Sequence, residues 1–71
     1  METDISLLKD FGQKVQKRRK DLGISQEELA FRAGFHRTYI GMIERAERNI
    51  TLSNIKRLAD ALQINIKDLF D

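Results

Sequence analysis

Residues 26–45, QEELAFRAGFHRTYIGMIER, carry small and branched side chains at three places where two crossing helices would need them. Ala30 is small enough for one helix to cross close to another, Gly34 can turn the chain, and Ile40 can fill the space between the two helices. This spacing predicts a helix-turn-helix. Packing within any helical hairpin could also select Ala-x-x-x-Gly, so the neighbouring residues are needed to decide between the two interpretations.

The residues around this stretch predict where its first helix begins and ends. Ser25 stands three residues before Glu28, which is the spacing of a capping box. The helix is therefore expected to begin at Gln26. It is expected to stop at Gly34, because glycine adopts a positive φ without a steric penalty.

Upstream, apolar residues recur at the three-, four- and seven-residue spacings that place side chains on one side of a helix. Gly23 then follows as a natural helix terminator. A first helix is therefore predicted over residues 5–21. Its stripe consists of Ile5, Leu8, Phe11, Val15 and Leu22.

Downstream, the same signals predict three more helices. His36 or Thr38 can cap a third helix of about nine residues, and Thr51 can cap a fourth. Asn65 stands three residues before Asp68 and predicts a short last helix. The prediction is one all-α domain of five helices over residues 1–71, with the helix-turn-helix unit at 26–45. The inward stripe of the fourth helix is expected to be Leu52, Ile55, Leu58, Ala59 and Leu62.

The composition fits one small folded domain. The 71 residues include no cysteine, proline or tryptophan, 34% are charged and 41% are hydrophobic, which is unlike disordered, collagen-like or membrane-spanning chains. The first residues, Met-Glu-Thr-Asp, lack the basic and apolar segments of a secretory signal. We therefore expect a cytoplasmic protein without a disulfide framework.

Positive charge is concentrated in the middle of the chain. Residues 9–57 hold 12 Lys and Arg against 6 Asp and Glu, although the formal net charge of the whole chain is only +2. The run KVQKRRK at 14–20 has five basic side chains and no acidic one. Such an excess attracts polyanions, of which nucleic acid is the commonest. On its own this run is more typical of a solvated helix face, but together with the spacing in 26–45 it favours DNA binding.

The sequence carries no recognisable catalytic or cofactor site. It has no nucleophile–base pair, no glycine-rich phosphate loop and no carboxylates at metal-binding spacing, and His36 is the only histidine. Glu27 and Glu28 are adjacent and so diverge by about 100° on a helix, whereas an acid–base pair would have to face the same substrate. We predict that the protein is not an enzyme and binds no cofactor, metal or small-molecule ligand.

Residues 22–70, LGISQEELAFRAGFHRTYIGMIERAERNITLSNIKRLADALQINIKDLF, resemble the Cro/repressor-type (XRE family) helix-turn-helix domains. Within that family, RTYI at 37–40, IER at 43–45 and RNIT at 48–51 look most like the controller proteins of restriction–modification systems. The resemblance implies a compact, five-helix, lambda-repressor-like DNA-binding fold.

In this family the start of the third helix enters the major groove, so the resemblance implies base contacts by Arg37, Thr38, Tyr39 and Met42. An arginine can donate two parallel hydrogen bonds to guanine, and a threonine can combine a hydroxyl bond with contact to a thymine methyl group. Gly41 would continue the groove-facing side, where close approach of DNA would explain a glycine. For Tyr39 a half-buried ring against the second helix remains the alternative.

The resemblance also implies contacts to DNA phosphates, which set register without reading sequence. Gln26, first in its helix, could offer its backbone N–H and its side-chain amide to a phosphate. His36 is expected to cap the third helix or to contact a phosphate. The expected phosphate contacts are Gln26, His36, Arg45, Arg48, Asn49 and, from the basic run, Lys17.

Two charged residues are expected to serve the structure. Arg19 and Glu44 match the family's paired arginine in the first helix and glutamate at the end of the third. The resemblance implies an ion pair that clamps the recognition helix to the scaffold.

Residues 52–71 carry more apolar side chains than two short helices can bury in so small a core. We therefore expect a homodimer with Ile64, Ile66 and Phe70 at its interface, although closing the core of the monomer is the alternative for these side chains. A two-fold dimer would set two recognition helices about 34 Å apart, one turn of DNA.

These observations and the resemblance together predict a sequence-specific transcription regulator, encoded by a bacterium or phage, that binds a palindromic double-stranded DNA operator as a homodimer. It is expected to regulate its own operon, and a restriction–modification operon is the candidate target. RNA polymerase is a further candidate partner, through Glu27, and no membrane partner is expected. The alternatives are a phage-type or orphan repressor, an antitoxin, or a protein-interaction module.

Overall fold

A computed structural model describes residues 5–70 of the chain as four α-helices followed by one turn of 3₁₀ helix. The helices are α1 (Ile5–Asp21), α2 (Gln26–Ala33), α3 (Arg37–Glu44) and α4 (Leu52–Ala61), and the 3₁₀ helix spans Ile66–Leu69. The described residues contain no strand. The all-α prediction is confirmed, and so are the limits of α1, but the predicted fifth helix is only a 3₁₀ turn. Residues 1–4 and 71 of the predicted domain lie outside the described residues.

The helices begin where the sequence places their caps. Ser25 Oγ accepts a hydrogen bond of 3.0 Å from the Glu28 N–H, and Thr51 Oγ1 accepts one of 3.2 Å from the Asn54 N–H. A cap of this kind contributes about 1 kcal/mol to helix stability. Of the two hydrogen bonds in the predicted capping box, the one from the Glu28 N–H to Ser25 is present. The Glu28 carboxylate, which would make the second, accepts from Arg32 Nε at 2.9 Å instead.

All four α-helices end in the same way, with one residue in the left-handed region of φ. These residues are Gly23 (φ 71°), Gly34 (φ 77°), Ala46 (φ 59°) and Gln63 (φ 60°). At the end of α4, for example, the Ile64 N–H donates to the Ala59 carbonyl at 3.0 Å and the Gln63 N–H donates to the Asp60 carbonyl at 3.1 Å. This is a Schellman motif, which satisfies carbonyls that the helix leaves unpaired. Sequence analysis predicted a positive φ only at the two ends that have glycine.

The core lies between the four α-helices, and α1 contributes Phe11 and Val15 to it. Ile40 is fully buried and Ala30 is 3% exposed, as a helix-turn-helix crossing requires. Two predicted core residues are outside it, since Ile5 is 55% and Leu52 is 72% exposed. Each is the first residue of its helix, where the helix extends beyond the edge of the core. The buried hydrophobic residues are Phe11, Val15, Leu29, Ala30, Ala33, Ile40, Ile43, Ile55, Leu58, Ala59, Leu62 and Leu69.

A glycine in the middle of α1 allows α3 to approach closely. A Cβ atom at Gly12 would lie 2.6 Å from the carbonyl oxygen of Ile43 and 2.9 Å from that of Glu44. Both atoms belong to the backbone of α3, so they could not move aside as a side chain could. Gly12 therefore sets the distance between α1 and the end of α3, a role that sequence analysis missed.

None of the helices described between residues 5 and 70 combines the length and the apolar character needed to cross a membrane.

The end of α4 provides a prediction about stability. We expect Gln63→Gly to raise the free energy of unfolding by roughly 0.5–1 kcal/mol, because glycine removes the cost of a side chain at positive φ and this gain exceeds its entropic penalty. Chemical denaturation measures the change. Gln13→Gly, at an exposed position within α1, is the matched control and should lower stability by roughly 0.5–1 kcal/mol. A loss of stability in both variants would contradict the prediction.

Candidate nucleic-acid interface

The outer face of α3 exposes polar side chains at the start of the helix. Ile40 and Ile43 point into the core and so fix the opposite side of α3 toward solvent. Arg37 and Thr38 are exposed at its start, and within residues 5–70 neither side chain makes a hydrogen bond or an ion pair. Met42 is half-buried on the same face. The start of α3 therefore presents donors that are free to bind another molecule.

The end of α3 is fixed by a buried ionic network. Glu44 has only 1% of its side chain exposed, and its Oε2 accepts from Arg19 Nε at 2.7 Å. Its Oε1 accepts from Arg19 Nη2 at 3.1 Å and from Gln26 Nε2 at 3.0 Å. Arg19 also donates from Nη1 to the Ile24 carbonyl at 3.0 Å. The expected pairing of Arg19 with Glu44 is thus present and also involves α2.

This network changes the expectation for Gln26. The side-chain amide was expected to reach a phosphate, but it donates to Glu44. Sequence analysis could not show this, because the two residues are 18 positions apart. The backbone N–H of Gln26, in the first turn of α2, remains the group of this residue that can face a phosphate.

Tyr39 lies at the junction of several elements and is half-buried. Its ring contacts Phe35 edge-on at 4.9 Å between centroids, and its hydroxyl accepts from Asn54 Nδ2 at 3.1 Å. The Arg48 guanidinium lies 5.5 Å from the ring centroid, within the range of a cation–π interaction. The tyrosine hydroxyl can still donate a hydrogen bond to a further acceptor.

Arg45 folds back along α3. Its Nε is 3.1 Å from Glu47 Oε2, and a Cβ atom at Gly41 would lie 2.9 Å from its Nη1. Gly41 is therefore buried beneath Arg45, and DNA could approach it closely only if the Arg45 side chain moved aside. The hydrogen bond and the charge of Glu47 raise the pKa of the Arg45 guanidinium above its ordinary value.

The structure brings together half of the ten residues that were expected to contact DNA. His36, Thr38, Tyr39, Met42 and Arg48 line one open depression beside α3. His36 is the N-cap residue of α3, but its side chain makes no capping hydrogen bond and is exposed. It is therefore free to contact a phosphate.

Two of the expected phosphate contacts lie elsewhere. Lys17 pairs with Asp21 at 3.1 Å and lines a groove between α1 and the 3₁₀ helix. It precedes Arg19 by two residues and so points away from α3. Asn49 lines a different, apolar groove between α1 and α4.

That apolar groove contains Phe70 but not the other residues expected at a dimer interface. Phe70 is 43% exposed and stacks on Phe11 at 5.4 Å between centroids. Ile64 and Ile66 pack against the core, as the alternative interpretation held. The groove is lined by Leu7, Leu8, Phe11, Asn49, Ile50, Ile55 and Phe70.

Two exposed positions on α2 carry no assigned contact. Glu27 is exposed, and Phe31 has 80% of its surface accessible to solvent. The contact between Glu27 and RNA polymerase stays a prediction.

Comparison with known proteins identifies a family. The model of the helix-turn-helix family HTH_3 matches residues 15–69, which include all of α2, α3 and α4. The matched region therefore contains both the buried network around Glu44 and the exposed face of α3.

Individual relatives cover most of the chain. The control protein C.BamHI of Bacillus amyloliquefaciens is 49% identical over 72 residues, spanning 100% of this chain and 86% of the relative. The control protein C.SmaI of Serratia marcescens is 54% identical over 46 residues, 65% of this chain and 55% of the relative. The crystal structure of the restriction–modification controller protein C.AhdI from Aeromonas hydrophila aligns with a TM-score of 0.87 and 48% identity, covering 89% of this chain and 96% of that one.

Removing the charge of Glu44 tests the network. We expect Glu44→Gln to lower the free energy of unfolding by about 3 kcal/mol, because the Arg19 guanidinium stays buried without its counter-charge. Urea denaturation measures this loss. Glu28→Gln is the matched control, since it removes the same charge from an exposed pair with Arg32, and it should cost less than about 1 kcal/mol. Equal effects of the two substitutions would show that the buried pair does not stabilise the fold.

Proposed function

We propose a function from the family to which this chain belongs, the helix-turn-helix family that includes the restriction–modification controller proteins. The protein is a transcription regulator that binds double-stranded DNA through α3. The observation that carries the proposal is the way in which α3 is fixed in the fold. Its inner side is buried, its end is clamped by Glu44, and Arg37 and Thr38 stand free at its exposed start. A rigid helix with unpaired donors at its N-terminal end suits the major groove.

Base contacts come from the exposed face of α3. Arg37 can place its planar guanidinium against guanine O6 and N7, and Thr38 can contact thymine or a neighbouring base. Met42 offers an apolar surface for a thymine methyl group. Tyr39 is held by Phe35 and Asn54. Its hydroxyl group therefore has a fixed position, from which it can donate a hydrogen bond to a phosphate or a base.

Phosphate contacts surround this face. The Gln26 backbone N–H at the positive end of the α2 dipole can bind one phosphate, and the exposed side chains of His36, Arg45 and Arg48 can bind others. Asn49 follows Arg48 on the same loop but lines the apolar groove between α1 and α4, so its contact with a phosphate stays a prediction. Lys17 is too far around α1 to join this set and contributes through its charge.

The protein is proposed to bind as a homodimer through the apolar groove between α1 and α4. Two large apolar side chains that line this groove are exposed to solvent, Leu7 at 51% and Phe70 at 43%, and a contiguous exposed apolar surface is typical of an interaction site. Pairing two copies would bury such residues. Ile64 and Ile66 then serve the monomer core. A two-fold dimer requires a palindromic or near-palindromic operator.

The relatives suggest which genes the protein controls. C.BamHI and C.SmaI are named control proteins, and C.AhdI is named a restriction–modification controller. We therefore propose that this chain regulates a restriction–modification operon that includes its own gene, in the bacterial cytoplasm, and that it has no enzymatic activity. Because dimers form by mass action, the concentration of the protein would set operator occupancy.

The base-reading role of Arg37 can be tested with a duplex selected from a random pool by the wild-type protein. We expect Arg37→Ala to lose about 1–3 kcal/mol of binding free energy for each half-site on the selected duplex, because two hydrogen bonds to a base are lost. Affinity for a scrambled duplex should change little. Fluorescence anisotropy at fixed salt measures both.

Lys67→Ala is the control for the loss of one positive charge, since Lys67 is an exposed residue of the 3₁₀ helix. It should bind both duplexes much as the wild type does. An equal loss on both duplexes in Arg37→Ala would assign Arg37 to the phosphate backbone. Failure of the wild-type protein to select any duplex would refute the proposed function.

The dimer face can be tested with Leu7→Lys, because Leu7 lines the apolar groove and is 51% exposed. The side chain is outside the core, so the monomer should stay folded, whereas a charge buried between two copies should shift the protein toward monomers. Sedimentation analysis at several concentrations measures this shift. Phe31→Lys, at an exposed position on α2, is the matched control and should leave the oligomeric state unchanged. A dimer of wild-type strength in Leu7→Lys would place the interface elsewhere.

A further inference from the structure

One face of α4 reaches across to the helix-turn-helix through two polar side chains. Asn54 and Arg57 are three residues apart and so lie on the same side of the helix. Asn54 donates from Nδ2 to the Tyr39 hydroxyl at 3.1 Å. Arg57 donates from Nε to the Ala33 carbonyl at 3.1 Å and from Nη2 to the Gly34 carbonyl at 2.8 Å. Neither residue was assigned a role by sequence analysis.

Arg57 occupies the negative end of α2. The carbonyls of Ala33 and Gly34 lie at the helix terminus, where backbone acceptors lack intrahelical partners and a cation is favourable. The backbone is shaped to admit the guanidinium, because a Cβ atom at Gly34 would lie 2.6 Å from Arg57 Nη2. Gly34 thus meets two requirements, a φ of 77° and space for Arg57.

Arg57 also begins a continuous stack. Its Cζ lies 4.3 Å from the centroid of the Phe35 ring, and Phe35 contacts Tyr39 edge-on at 4.9 Å. Arg48 lies at the other end, 5.5 Å from the Tyr39 centroid. We call the four residues Arg57, Phe35, Tyr39 and Arg48 the arginine–aromatic stack. It runs from α4 through the turn and α3 to the loop that follows α3.

We propose that Arg57 and Asn54 are positioning residues, which set the orientation of α3 and of Arg48 through the arginine–aromatic stack and thereby determine DNA sequence specificity without touching DNA. The inference rests on the proposed function. The contacts hold the turn and the first half of α3, whereas the Glu44 network holds its end. Recognition by hydrogen bonds tolerates errors of only about 0.5 Å in the placement of donors, so a loosened turn should impair sequence reading first.

A direct phosphate contact by Arg57 would have a different signature. Two of its donors are used by backbone carbonyls, and one face of its guanidinium covers Phe35. A residue that neutralises a phosphate contributes to the salt dependence of binding on every sequence. A positioning residue instead affects the ratio of specific to non-specific affinity and leaves the salt dependence unchanged.

The test compares Arg57→Met with Lys56→Met. Both substitutions remove one positive charge from α4, but Lys56 pairs with Asp60 on the exposed side. We measure binding to the duplex selected by the wild-type protein and to a scrambled duplex, each at several salt concentrations. For Arg57→Met we expect at least a tenfold loss on the selected duplex, little change on the scrambled one, and an unchanged salt slope. Lys56→Met should resemble the wild type.

Two outcomes would overturn the proposal. Equal losses on both duplexes with a salt slope smaller by about one would make Arg57 a phosphate contact. Unchanged binding to both duplexes would reduce it to a contributor to stability. Arg57→Lys provides a graded check, because lysine can donate to a carbonyl but cannot bridge two carbonyls and lie flat on a ring. We expect the affinity of Arg57→Lys for the selected duplex to lie between those of the wild type and Arg57→Met. If Arg57→Met does not fold, Asn54→Ala replaces it, and it should also lose affinity for the selected duplex but not for the scrambled one.

A measurement without DNA separates this proposal from the proposed function. Tyr39 is the only tyrosine and the chain has no tryptophan, so near-ultraviolet circular dichroism and tyrosine fluorescence report on the arginine–aromatic stack directly. We expect both signals to change in Arg57→Met and Asn54→Ala but not in Lys56→Met, with far-ultraviolet spectra unchanged. Unchanged tyrosine signals would refute the positioning role even if the wild type binds DNA. Changed signals in a protein that selects no duplex would refute the proposed function alone.

Discussion

The arrangement of the helices depends on one buried carboxylate. Glu44 stands at the end of α3 and accepts hydrogen bonds from Arg19 of α1 and Gln26 of α2, so a single side chain joins three helices. A buried carboxylate without such partners would be strongly unfavourable, and the same holds for the guanidinium opposite it. The network therefore stabilises one relative placement of the three helices more than it adds net stability. The backbone contact at Gly12 fixes the distance between α1 and α3 at the same place.

The recognition helix is thus held from its inner side and at its end, while its outer face stays free. Ile40 and Ile43 anchor it in the core, and the side chains of α4 hold the turn that precedes it. In so small a domain, little apolar surface is available to fix each helix. Ionic and aromatic contacts outside the core therefore help to fix the relative orientation of the helices, which the core alone would fix in a larger protein. This division of roles leaves Arg37 and Thr38 without hydrogen-bond partners among residues 5–70.

Much of the fold follows from local signals, and the failures have a common cause. The limits of α1 and the caps at Ser25 and Thr51 were predicted because periodicity and capping involve neighbours in sequence. The left-handed conformation after α3 and after α4 was not predicted, because Ala46 and Gln63 adopt a positive φ that their residue types do not favour. In the site, the side-chain amide of Gln26 was expected to bind a phosphate. It donates instead to Glu44, which is 18 residues away and so gives no local signal in the sequence. Asn54 and Arg57 had no local signal, since an exposed polar residue on a helix has no distinctive pattern.

By itself the sequence determined the helices, the helix-turn-helix at 26–45 and the position of Arg37 and Thr38 at the start of its second helix. Hydrophobic period, capping residues and turn glycines act between neighbours, so they can be recognised without knowing how the chain folds back. The tertiary structure alone decided which polar side chains are left for a partner. It assigned Gln26 to Glu44, Arg45 to the surface above Gly41 and Arg57 to the turn. The physical reason is that a donor bonds to whichever acceptor lies within about 3 Å, and residues distant in sequence are brought that close only by folding.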